Sequence, residues 1–507
     1  MPKRSSNRNA LTLMVGTLGS RVSGFLRQSL LTQLFDKQIT DAFFVALRVP
    51  NLFRELLAEG ALTNSFIPIY KSLDKKEARR LASALLAILL IANGLLLLLA
   101  YFAAPFIVDL LLAKGGNVDR DLTITLTRIV FPFLMAVSLS AWAMGILNAE
   151  EEFFAPAWAP VALNLVAIIL MLLYPQSTTI LAWGFVLGGV VQLLVQLPAL
   201  FQGNYVAAIR GVWHPQLGAV LLLMVPFAVT TSGRQVLNVV TTNILDTLPQ
   251  GSVTGFQNAD LFLSLALGLF GVSPALAYYS RLSGTIKEAP ESFADILLNG
   301  LKFISFLSAP AGLLLMLLAS PAVETVFNWF TLLGRDGADP ATLSASVQAL
   351  FPLGLAIWPL GLNNLLIRSF YVRQRVRTPI VLTFIFLSLQ GLLYYLLTPF
   401  LGIAGLSLAT AVVAWLQLFT MLILVGRREG LDLPAFMRHG LKILFALAVA
   451  ALLSWGLLSF LPLAQTWLMN LTRVILGALC LYLVYLAMAL WLKLPELAQL
   501  SQRFRKR

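Results

Sequence analysis

Long apolar runs separated by short polar connections fill the chain from about residue 10 to residue 492. A bilayer core of about 30 Å takes about 20 mostly apolar residues when crossed as a helix. A window of that size predicts spans near 10–35, 42–70, 82–108, 122–147, 157–174, 179–201, 218–246, 254–279, 297–330, 344–371, 379–398, 402–426, 440–462 and 468–492. The pattern is an all-α polytopic membrane protein of about fourteen transmembrane helices, with no connection long enough to fold as a domain. The ninth run is longer than one crossing needs and reads as a span followed by a surface helix. Gly115-Gly116, Pro175, Pro249-Gln250-Gly251, Pro379 and Pro399 punctuate the connections, because proline has no N–H to give to a continuing helix.

Composition sharpens this reading. Of 507 residues 59% are apolar and only 12% charged, which excludes a water-soluble globule, a disordered chain and a fibrous repeat. The net charge of +13 would point to nucleic acid in a soluble protein, but here no soluble face exists to carry it, and the charge reads as topology. The termini and one set of alternate connections hold 23 Lys and Arg residues, the opposite set 4. The positive-inside rule then puts both termini in the cytoplasm. The basic stretch Met1 to Arg8 precedes an apolar run that Arg21 and Arg27 interrupt, so it opens the first helix and is not a signal peptide. One cysteine, Cys480, and two histidines, His214 and His439, exclude a disulfide framework and a histidine-rich metal centre.

Nine basic residues lie within or at the edges of the spans. Arg128, Lys302, Arg368 and Arg473 sit near helix ends, where long side chains reach the headgroups. Arg21, Arg27, Arg48, Arg54 and Arg234 do not have that explanation, and a charge at mid-bilayer costs from about 2.5 to more than 10 kcal/mol unless it faces a cavity or a partner. On an ideal second helix Asp41, Arg48, Glu55 and Glu59 fall within about 40° of one another, one polar stripe, which also fits plain ion pairing between helices. Arg54 stands off that stripe, and Pro50 should kink the helix and free a carbonyl near Ala46. Arg21 and Arg27, six residues apart, are roughly 9 Å apart along a helix axis. Intramembrane arginines in excess of acids point to an anionic ligand, and the guanidinium fork suits phosphate. A cation exporter would show unpaired carboxylates in its cavity.

Several segments resemble a known family. Ser20-Arg21-Val22-Ser23-Gly24-Phe25-Leu26-Arg27, Asp41-Ala42-Phe43-Phe44-Val45-Ala46, Pro50-Asn51-Leu52-Phe53-Arg54 and Ala58-Glu59-Gly60-Ala61 are similar to the opening of the MurJ/MviN family of lipid II flippases. Gly145-Ile146-Leu147-Asn148 with Phe154-Ala155-Pro156 and Asn164, Leu181-Ala182-Trp183-Gly184, Phe370-Tyr371-Val372-Arg373-Gln374, and Gly402-Ile403-Ala404-Gly405 continue the resemblance in order. It implies the MOP-superfamily architecture: an N-terminal lobe over 1–201, a linker over 202–217, a second lobe over 218–426, a linker over 427–439, then two further helices and a basic tail over 440–507, with a central cavity and a lipid-side groove. It implies transport of lipid II from the cytoplasmic to the outer leaflet. The family's functional arginines carry over onto Arg21, Arg27 and Arg54, and its acidic residues onto Asp41 and Glu59.

One position departs from the pattern. The family often has an arginine after the aspartate of the eighth helix, where this chain has Asp260-Leu261. Arg234 on the seventh helix is a substitute cation, or else a structural partner of Asp246 or Asp260. Arg48 joins the substrate-binding set, and Asp260 joins Asp41 and Glu59 as gating or charge-pairing groups. Relatives with a sodium site have carboxylates that the eleventh helix here lacks, which leaves Asp246, Asn243 and Thr410 as weak cation ligands. No cofactor is expected, and sodium, protons or the membrane potential remain open as the coupling force. Lipid II and membrane lipids are the expected partners of a monomer that binds no nucleic acid. A flippase for another polyprenyl diphosphate glycan and a drug or cation antiporter are the competing readings. No phosphate loop, metal cluster or activated nucleophile marks an enzyme.

Overall fold

The structure, a computed structural model, describes residues 6–57, 61–206, 213–288, 290–462 and 466–497, and these are helical with short connections. Two compact units divide the chain, Met1–Val253 and Thr254–Arg507. The first contains α1 (Ser6–Leu34), α2 (Lys37–Ala46), α3 (Arg48–Leu57), α4 (Ala61–Ser72), α5 (Lys75–Leu111), α6 (Arg120–Val130), α7 (Pro132–Ala149), α8 (Phe154–Leu173), α9 (Ile180–Leu194), α10 (Leu197–Gln202) and α11 (Leu217–Asp246). The second contains α12 (Ser252–Leu267), a π turn over Gly268–Val272, α13 (Ser273–Glu288), α14 (Phe293–Leu317), α15 (Ala319–Phe327), a 3-10 turn over Trp329–Leu333, α16 (Pro340–Val372), α17 (Arg377–Leu401), α18 (Ile403–Glu429), α19 (Leu433–Phe460) and α20 (Trp467–Trp491).

Among the described residues, eleven helical segments are long and apolar enough to cross a membrane, at the third to sixth and the eighth to fourteenth predicted spans. The first, second and seventh predicted spans fall on α1, on α2 to α4, and on α11. The ninth run divides as its length requires, into the crossing α14 and the nine-residue α15.

The second span departs from the ideal wheel. It breaks at Leu47, between α2 and α3, one residue after Ala46, whose carbonyl the ring of Pro50 leaves without a helical donor. Asp41 and Arg48 therefore belong to different helices, and the polar stripe is not continuous. The side chain of Glu55 and all of Glu59 lie outside the described residues.

Local capping sets many of the boundaries. Asp36, Asp74, Asp119, Asp339 and Asp432 each accept a hydrogen bond from a backbone N–H in the first turn of α2, α5, α6, α16 and α19, satisfying donors that a helix start leaves open. Gly430 closes α18 at a φ of +68°, a conformation that glycine adopts without steric cost.

In the first unit three distant connections are tied together. Asp246, buried at the end of α11, accepts from the backbone N–H of Val118 at 2.7 Å and of Ala113 at 2.8 Å. The Asn117 side-chain amide donates to Leu248 O at 3.0 Å, and the Asn117 backbone N–H donates to Asp246 O at 2.9 Å. Asp41, 1% exposed on α2, accepts from the Gly251 N–H at 2.6 Å. Gly251 has a φ of +92°, and Gly116 packs so close to the Asp246 carboxylate that a side chain would overlap it. This clasp, together with packing on α3, α4 and α5, joins α11 to the first unit.

The second unit is closed at one end by charge. Glu429 at the end of α18 holds Arg373 at 2.6 Å and Arg375 at 3.6 Å, with Arg373 over the Phe293 ring at 4.2 Å. Glu496, 1% exposed beyond α20, stands 3.6 Å from the His439 Nε2, and burial pushes its carboxyl above the ordinary range. A carboxyl raised in the folded state contributes stability below its unfolded pKa of about 4.3 that is lost as pH rises through the folded value. Glu496→Gln should therefore flatten the fall of the melting temperature as pH is raised from about 4.3 toward neutrality. An unchanged slope in a detergent melting series would contradict this.

Candidate functional site

Arg27 is the centre of the best-defined polar site in the first unit. α1 turns a face of small residues toward α8: a Cβ on Gly16 would come within 2.6 Å of the Ala157 Cβ, and one on Gly24 would meet the Asn164 amide at 3.5 Å. Ser20, Ser23 and Arg27 follow on that face at spacings of three and four. The Arg27 Nη1 donates to Asn164 Oδ1 at 2.7 Å. Asn164 donates in turn to the Ser23 hydroxyl at 2.9 Å and to Ser20 O at 3.2 Å, which fixes the orientation of its amide. Below the guanidinium, 4.6 Å from its centre, lies the Phe185 ring of α9. Phe185 is held edge-on by Phe43 at 5.2 Å and Phe133 at 5.6 Å.

The partners of Arg27 are an amide and an aromatic face, both neutral. Among the described residues it forms no ion pair, and its buried Nε has no hydrogen-bond partner. The charge that acts on it is another cation, Arg54, whose Nε donates to Asn51 Oδ1 at 3.3 Å. Arg27 thus carries its charge beside a second cation, in surroundings that orient it and, among the described residues, set no carboxylate against it. Chemically, such a guanidinium suits an anion with several acceptor oxygens, to which its N–H groups can donate while it stays charged.

The other sequence candidates are dispersed. Arg21 is exposed on α1 and has no hydrogen bond or ion pair among the described residues. Arg48 is half-buried on α3, and Arg234 is exposed on α11. Arg234 and Asp246 are twelve residues apart on one helix, about 18 Å along its axis, and both carboxylate oxygens of Asp246 accept from backbone. Asn243 is half-buried on α11. Asp260, on α12, and Thr410, on α18, belong to the second unit. Thr410 is in a hydrogen-bonded trio with Gln390 at 3.0 Å and Tyr394 at 3.0 Å. Among the described residues no three His, Cys, Asp or Glu side chains gather as a metal-binding group.

A second feature is an apolar groove of about 700 Å³ in the second unit. Leu313 of α14, Trp358 of α16, Trp415 and Phe419 of α18 and Leu444 of α19 form its walls. The two tryptophans meet edge to face at 5.4 Å, and each donates its indole N–H, to Ser305 Oγ and Leu355 O, leaving only carbon toward the groove.

Residues 31–490 match the family model described as lipid II flippase MurJ. The chain belongs to the MurJ family. The lipid II flippase MurJ of Burkholderia cenocepacia is 33% identical over 475 residues, 89% of this chain and 90% of that one. The probable lipid II flippase MurJ of Bdellovibrio bacteriovorus is 31% identical over 454 residues, 87% of this chain and 86% of that one. Among solved structures, an inward closed lipid II flippase MurJ superimposes with a TM-score of 0.79 at 22% identity, covering 95% of this chain and 99% of that one. An inward-facing MATE multidrug transporter of the MOP superfamily follows at 0.62 and 18%, covering 83% and 96%. These likenesses show the MOP fold, and the chain is a multi-pass membrane protein.

Within the MurJ-family frame, Phe185 is the residue that sequence reading missed, and Asn164 entered it only as a landmark. An aromatic residue in an apolar span carries no mark that distinguishes a cation's platform from core or lipid packing. A buried asparagine one helix away is the nearest available signal.

Proposed function

We propose that this chain moves lipid II, an undecaprenyl diphosphate bearing a disaccharide-pentapeptide, from the cytoplasmic to the outer leaflet by alternating access. The observation that carries the reading is Arg27, a guanidinium oriented by Asn164 and Phe185 that forms no ion pair among the described residues. In this reading Arg27 and Arg54 take the diphosphate, Arg21, Arg48 and Arg234 extend the basic path, and the polyprenyl tail stays in lipid. Asp41, Glu59 and Asp260 pair with cations when no substrate is present. The chain acts as a transporter, not an enzyme, in the inner membrane, as a monomer with both termini in the cytoplasm. A potential of about 100 mV contributes about 2.3 kcal/mol per unit charge to returning an empty basic site toward the negative side.

The test is replacement. In bacteria depleted of their own flippase, expression of this chain should restore lipid II at the outer leaflet, read by labelling of the exposed headgroup. Accumulation of lipid II on the cytoplasmic side despite full expression would refute the assignment, and restored export of a different polyprenyl diphosphate glycan alone would redirect it.

A further inference from the structure

The second unit holds a polar cavity of about 590 Å³ that the transport reading does not use. It lies where two crossing helices reach one membrane surface: Leu317 ends α14 on one side, and Thr466 and Trp467 open α20 on the other. α15 and the 3-10 turn after it complete the wall. The indole N–H of Trp467 donates to Thr325 O at 2.8 Å, fixing an amphipathic ring at that surface, where such rings concentrate in membrane proteins. α20 then runs 25 residues away from the cavity to Trp491, so the cavity is on the face opposite that end of the helix.

Its lining carries both signs of charge. Glu324 on α15 accepts from the Asn328 side-chain amide at 2.8 Å. Arg473 on α20 donates one nitrogen to Pro462 O at 3.0 Å and to Leu461 O at 3.5 Å. Neither forms an ion pair among the described residues, although both line the same cavity. The Asn328 Oδ1 is buried beside them without a partner. A carboxylate thus stands on one wall, while a guanidinium and the Asn470 amide stand on the other.

We propose that this cavity binds a zwitterionic phosphoethanolamine headgroup of a membrane lipid, with the phosphate toward Arg473 and the ammonium toward Glu324. An ammonium bearing N–H donors satisfies the Glu324 carboxylate, and the phosphate satisfies the guanidinium. The position at the level of helix ends selects a lipid over a soluble zwitterion of the same chemistry. The site shares no residue with the arginine site of the first unit and does not depend on it.

The test uses the purified full chain in detergent and lipids with identical short acyl chains, followed by native mass spectrometry and by binding isotherms. Phosphatidylethanolamine should bind about tenfold tighter than phosphatidylglycerol, which lacks the cation, or phosphatidylcholine, which lacks its N–H donors, the size of one charged hydrogen bond. Glu324→Gln should bring the ethanolamine and glycerol lipids within about twofold of each other, and Arg473→Gln should weaken both. Equal binding of the three lipids to the unaltered chain, or a preference retained in Glu324→Gln, would overturn the proposal. Glycerophosphoethanolamine without tails binding as tightly as the lipid would overturn the lipid as source. The comparison of lipids on the unaltered chain decides the matter even if a variant fails to fold.

Discussion

Replacing Arg27 by alanine is expected to abolish transport while leaving the protein folded. Removing one partner of a buried, hydrogen-bonded charge pair costs about 2–5 kcal/mol, at least about 30-fold in affinity for the diphosphate. The more searching variant is Asn164→Asp. It preserves the shape of a side chain that already sits 2.7 Å from the Arg27 Nη1, but turns its neutral acceptor into a carboxylate. The guanidinium would then carry its own counterion, and binding of a diphosphate should fall nearly as far as in Arg27→Ala. If Arg27 only fastened α1 to α8, the same change would strengthen the fastening and leave export intact. Measuring growth and outer-leaflet lipid II in cells dependent on each variant separates the two roles. Full export by Asn164→Asp would show that Arg27 is structural.

Asp246→Ala is expected to have the largest effect on stability. Two backbone donors, at Ala113 and Val118, would lose a buried charged acceptor. At about 1.5–3 kcal/mol for each hydrogen bond to a charged group, the loss is about 3–6 kcal/mol. Asp246→Asn, which retains one acceptor oxygen and introduces a donor facing a donor, should fall between. Thermal unfolding in detergent reads both, and a melting temperature for Asp246→Ala within a degree of the unaltered chain would contradict this account of the clasp. Loss of cation dependence of transport without loss of stability would instead mark Asp246 as an ion ligand.

The crossings were legible because burial in lipid imposes one requirement, an unbroken apolar run with all backbone groups satisfied within the helix, and this repeats along the chain. The division of the ninth run was legible from length alone. The break at Leu47 was foreseeable in kind from Pro50, but the ideal wheel drawn through Asp41, Arg48 and Glu59 could not survive it. The arginines of the first helices announced themselves as charges out of place. Their partners did not: Asn164 lies 137 positions from Arg27, and Phe185 is one of 33 phenylalanines. Likewise nothing near Asp246 indicates donors in a connection 128 and 133 positions away. Local pattern reports the environment of a residue, whereas recognition between side chains depends on which helices become neighbours.

The donors that the 113–118 connection gives to the Asp246 carboxylate are amides that all amino acids but one possess. The tie at positions 113 and 118 therefore does not depend on side-chain chemistry, and a proline at either would cut it. Homologous loops of this kind should look unrelated by side chain yet agree in shunning proline there, a constraint that shows only as an omission.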